Sequence, residues 1–129
     1  MLKEALFWIY IVNFTLFIVH EMEGAYWKEW GMFTGNLTEK KGLTLYLLTH
    51  ILIIAVLFFG LFYIRTIAGF IIAFVLSVFL AFHFIVHVQA MKQERGGFNY
   101  PISSILLFFI FFLSVAQFVI ASYLLVSRI

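Results

Sequence analysis

The sequence predicts an all-α fold, an integral membrane four-helix bundle, on three observations. Of its 129 residues, 65% are hydrophobic and only 11% are charged. The mean hydropathy is +1.12. Four separate apolar segments are each long enough to cross a bilayer. Soluble domains are about half apolar and about a quarter charged, and a small domain leaves too much surface exposed to hide such an excess. The expected solvent is therefore lipid, and the expected location is the cell membrane, with several passes. The apolar runs lack period-2 alternation, which argues for helices rather than barrel strands. A helix also satisfies its own backbone polar groups within lipid.

The first helix is expected over about 5–23. Met1 to Glu4 followed by an apolar run has roughly the shape of a signal peptide. No small-x-small cleavage site follows Val19, and the segment runs into His20 and Glu23, so a retained helix is the better reading. The others are expected at about 43–64, 67–91 and 102–126. Each is near or above the ~20 residues that a ~30 Å hydrocarbon core requires. Gly24 to Gly42 is the longest connection, and its Trp27 and Trp30 suit a lipid–water interface. Arg65 and Thr66 leave room only for a tight turn, which makes the second and third helices antiparallel neighbours. In "KQERGGFNYP", Lys92 to Pro101, Gly96 and Gly97 are expected to break the third helix and Pro101 to open the fourth. No repeat or low-complexity tract divides the chain, so residues 1–129 read as one domain.

Charge and motifs narrow the function classes. The net charge of +2, with 8 basic residues, is too small for a nucleic-acid surface. Alternating passes put Lys3, Arg65 and Arg128 on one side, here side A, and Lys28, Lys40, Lys41, Lys92 and Arg95 on the other, side B. The positive-inside rule favours side B as cytoplasmic. The absence of cysteine removes disulfides, thiolate ligands and Cys nucleophiles. There is no Gly-rich phosphate loop and no G-x-S-x-G elbow. The intramembrane hydroxyls and amide of Ser77, Ser114, Ser122 and Gln117 read as structural. Self-association into a homo-oligomer is open to so small a unit.

The four histidines fall at one level. His20 lies at the side B end of the first helix. His50 is eight residues past Gly42, roughly 12 Å deep at ~1.5 Å per residue. His83 and His87 precede Lys92 by nine and five residues, roughly 13 and 7 Å. His83 and His87 share a helix face at i,i+4, as do His20 and Glu23 at i,i+3. Asn13 lies near the same stripe as His20. Tyr46, four residues before His50, is placed to donate to it. Ionisable residues inside a membrane face the bundle interior or a water cavity.

Imidazoles with a carboxylate form a ligand set for zinc, iron or manganese. The expected metal residues are His20, Glu23, His50, His83 and His87, with zinc as the first expectation. One carboxylate with several histidines suits a mononuclear site better than a di-iron one. Glu23 or Glu21 is either a ligand or the general base. Glu23 is preferred because it shares a face with His20, while Glu21, on another face of the helix, is expected to be solvated. An open coordination position would make such a site hydrolytic, acting on a lipid or small apolar substrate. The alternatives are a b-type haem held by His50 with His83 or His87, and a non-enzymatic transporter or complex subunit.

"HEMEG", at the end of the first helix, resembles the signature of the HXXEE family of small bacterial membrane proteins. "HFIVHVQAMKQERGGFNYPISS" looks like that family's second part. His20 and Glu23 match the first His and Glu, and His83, His87 and Pro101 match the later positions. Gly24 stands where the second Glu belongs, and Ile102 where Gly is usual. The resemblance implies a helical membrane protein with a metal site, and implies no particular activity.

Overall fold

A computed structural model describes residues 1–28, 30, 31, 37–92 and 101–127. The expected Gly96–Gly97 break, together with Arg95 and Arg128, lies outside these residues. Four helices account for nearly all of the described chain, with no strand among the described residues. They are α1 (Leu2–Tyr26), α2 (Glu39–Phe62), α3 (Ile67–Lys92) and α4 (Pro101–Val126). All four are long and apolar enough to cross a membrane.

The helix ends follow from local chemistry. α1 continues through Gly24, which is buried within it, because a helical glycine costs only about 1 kcal/mol relative to alanine. It ends at Trp27, and Lys28 then takes a left-handed φ of 59°, the reversal that usually follows a helix C-terminus. α4 starts on Pro101, as expected, since a first-turn residue has no helical use for an N–H. Between α2 and α3, Thr66 Oγ1 donates to the Tyr63 carbonyl at 2.7 Å and accepts from Gly69 N–H at 3.3 Å. One hydroxyl thus ties the turn and caps α3.

Each helix packs on its neighbours in the chain, and α1 closes the ring onto α4. α3 with α4 and α1 with α4 form the tight pairs, while α2 is the loosest member. The core is one cluster running through the middle and side A half. Leu6, Tyr10 and Phe17 from α1 meet Leu57 of α2, Phe70, Ala73 and Leu80 of α3, and Ile110 and Ala121 of α4. A polar brace crosses this core. Asn13 Nδ2 donates to Ser114 Oγ at 3.1 Å and Gln117 Oε1 at 3.3 Å, and Gln117 Nε2 donates to the Ala73 carbonyl at 2.9 Å. Ser77, Ser114 and Ser122 bond back to the i−4 carbonyl, as expected.

Outward positions are as apolar as inward ones. Trp8, Leu52, Phe62, Phe82, Phe108 and Val119 are all exposed. A water-facing surface of this kind would be one continuous apolar patch, so the bundle faces lipid. α2 buries only Gly42, Leu57 and Gly60. Its attachment to α1 in the side A half is a hydrogen bond from Tyr10 Oη to the Leu57 carbonyl, 2.9 Å.

Candidate metal centre

The side B half of the bundle holds all four histidines and, close beside them, the carboxylates of Glu21 and Glu23, delivered by three helices. α1 supplies His20, Glu21 and Glu23, α2 supplies Tyr46 and His50, and α3 supplies His83 and His87. His20 and His87 are fully buried. Imidazole ring centres lie 4.3 Å apart for His83–His87, 4.8 Å for His20–His87 and 5.3 Å for His20–His83. One nitrogen from each of these three rings falls within 4.8 Å of the others. Two nitrogens on one zinc, at ~2.1 Å each, are separated by at most ~4.2 Å. Side-chain adjustments on the order of an ångström therefore bring all three to one ion. Neither ring nitrogen of His20 has a hydrogen-bond partner among the described residues, and the same holds for His83 Nε2. Such buried polar atoms cost about 1–3 kcal/mol each when unsatisfied, so their convergence calls for a common partner.

The remaining expected ligands stand beside this group. The Glu23 carboxylate is 3.8 Å from His20 Nδ1, and its Oε1 accepts from Ser103 Oγ at the start of α4. His50 lies on the far side of Glu21, with Nε2 at 2.6 Å from Glu21 Oε2 and Nδ1 at 2.7 Å from the Tyr46 carbonyl. The structure thus brings His20, His83 and His87 together and sets His50 and Glu23 outside that group.

Two expectations are corrected here. Glu21 is not solvated: its side chain is 11% exposed and stands at the junction of α1, α2 and α3. Its Oε1 lies 3.4 Å from His83 Nε2. Glu21 is offset by about 100° from His20 on the helix, and that offset points it at α2 and α3 rather than outward. Nor does the Tyr46 hydroxyl bond His50. It reaches Glu21 instead, donating to the backbone carbonyl at 2.7 Å and to Oε2 at 2.9 Å. The available signal for Glu21 was His50 on α2, a half-buried imidazole at matching depth that needed an acceptor.

The Glu21–His50 pair has a proton-handling geometry. Both His50 nitrogens face oxygen acceptors. Both contacts are hydrogen bonds only when the pair carries one proton beyond that of a neutral imidazole.

A family profile matches residues 6–124, that of the family of unknown function DUF6713. No curated protein and no solved structure matches the chain. The match spans nearly the whole chain and does not carry the HXXEE assignment with it. The protein belongs to the DUF6713 family.

Proposed function

We propose that this DUF6713 member is a multi-pass membrane metalloprotein whose His20, His83 and His87 hold one divalent cation near the side B face, and that the centre serves a metal-dependent hydrolase acting on a lipid or small apolar substrate. One observation carries the reading: three imidazoles from two helices converge within 4.8 Å, and His20 has no other hydrogen-bond partner among the described residues. Imidazole suits zinc first and iron as well, while manganese prefers a harder oxygen set.

Three protein ligands and an open position is the pattern of catalytic zinc, and an ion so held polarises carbonyls and activates water. The chain's own residues supply the rest. Glu21, bonded to His50, takes up or returns a proton at its carboxylate. Tyr46 orients that carboxylate through its hydroxyl. Glu23 stands behind His20, where carboxylates commonly orient ligand imidazoles. This moves the base role from Glu23 to Glu21. The haem alternative gains nothing from the geometry, because a macrocycle between His50 and His83 would displace the Glu21 carboxylate that bridges them.

Elemental analysis of the detergent-solubilised protein tests the reading. The expected result is one equivalent of zinc, iron or manganese per chain, lost in His20→Ala, His83→Ala and His87→Ala and kept in His50→Ala. Metal at trace level only, unchanged by these substitutions, overturns it.

A further inference from the structure

The loose packing of α2 leaves a groove between α2 and α3 that begins at this centre. Its upper part, about 350 Å³, is lined by Glu21, Tyr46, Thr49, His50 and His83 together with apolar side chains. Its lower part, about 390 Å³, is lined only by apolar residues, among them Val56, Leu57, Ile71 and Val75. Ile53 and Phe79 line both parts, so the two are continuous. Along α2 the lining runs from Leu45 to Leu57, roughly 18 Å at ~1.5 Å per residue. That is close to one leaflet, half of a ~30 Å hydrocarbon core.

The order of polar and apolar lining specifies the occupant. Polar groups sit only at the side B end of the groove, and the rest is hydrocarbon. The groove is one channel between two helices, so it takes one chain rather than two. At its head, Glu21 Oε1 is buried, accepts no hydrogen bond among the described residues and has His83 Nε2 at 3.4 Å. A carboxylate oxygen accepts more than one donor, so a hydroxyl in the groove still finds a free lone pair there. The bonded Glu21–His50 pair offsets acid against imidazole and selects for no strong opposite charge.

We propose that the α2–α3 groove binds a single-chain lipid with an uncharged, hydroxyl-bearing head, of the monoacylglycerol class, with its head hydroxyl donating to Glu21 and its chain running past Ile53 to Val75. This names the ligand class for the centre above. It rests on the metal reading for any reaction but not for binding.

The test is photolabelling of the protein in phosphatidylcholine nanodiscs with a monoacylglycerol bearing a diazirine in its acyl chain. Adducts are then mapped by peptide mass spectrometry. Labelling is expected within 49–57 of α2 and 71–79 of α3, and an unlabelled monoacylglycerol should compete it away while added phosphatidylcholine does not. Val75→Trp and Val56→Trp fill the groove from opposite walls at surface positions. Each is expected to lower labelling about tenfold, the affinity of roughly two buried methylenes, with metal content unchanged. His87→Ala, outside the groove, should lose metal and keep labelling. Labelling spread evenly over the four helices, equal competition by phosphatidylcholine, or full labelling in both Trp variants overturns the proposal. Zinc-loaded protein without groove labelling removes this proposal alone, and metal-free protein with groove labelling removes the metal reading alone.

Discussion

The carboxylates of Glu21 and Glu23 are two positions apart on α1 and meet different partners. Glu21 touches His50 and His83 on the α2–α3 side; Glu23 meets His20 and Ser103 on the α4 side. Ser103 bonds one Glu23 oxygen, and the other lies 3.8 Å from His20 Nδ1, near enough to orient that ring in the proposed metal-bound state. Glu23→Gln is therefore expected to weaken zinc binding by roughly 10–100-fold, measured by competition with a chelating dye. Unchanged affinity removes Glu23 from that role. The shared level of the four histidines was legible from residue counting, because depth along a helix is linear in sequence. The choice between the two acids was not. It depends on where α2 stands around α1, and the inward arc of a bundle helix is wide enough to hold both.

At the scale of elements, α2 is held by a few polar contacts rather than by broad packing. Tyr10 bonds its backbone in the side A half, and Tyr46 and His50 meet Glu21 toward side B. Gly60 permits this approach, because a Cβ there would run into the Tyr10 hydroxyl and Ile72. Just beyond Gly60, the turn from α2 into α3 depends on Gly69. A Cβ at this position would collide with the Tyr63 carbonyl and the Ile64 backbone, neither of which can rotate aside. Gly69→Ala is expected to cost about 1–3 kcal/mol, read as a lowered thermal midpoint in detergent against Gly31→Ala, where a Cβ meets nothing. An unchanged midpoint contradicts the collision. The tight turn was readable from the two residues between apolar runs. The requirement for glycine at 69 was not, since it arises from the backbone folding back on itself.

For the whole molecule, orientation is the property with a direct test. Among the described basic residues, Lys28, Lys40, Lys41 and Lys92 lie toward side B and Lys3 and Arg65 toward side A, so the positive-inside rule predicts a cytoplasmic side B. The protein has no cysteine, so Lys41→Cys and Ser127→Cys give clean single-site probes. A membrane-impermeant maleimide applied to intact cells is expected to label Ser127→Cys and to spare Lys41→Cys until the cells are opened. The reverse pattern inverts the orientation.

The sequence by itself determined the helices, their number and the level at which histidine and carboxylate collect. Each of these follows from local composition and a fixed rise per residue. Only the tertiary structure decided which imidazoles converge, that Glu21 rather than Glu23 joins α2 to the centre, and that a groove opens beside it. Rotation about a helix axis and the packing distance between helices are set by neighbours. In chains as uniformly apolar as these, no amphipathic stripe marks the inward face in advance.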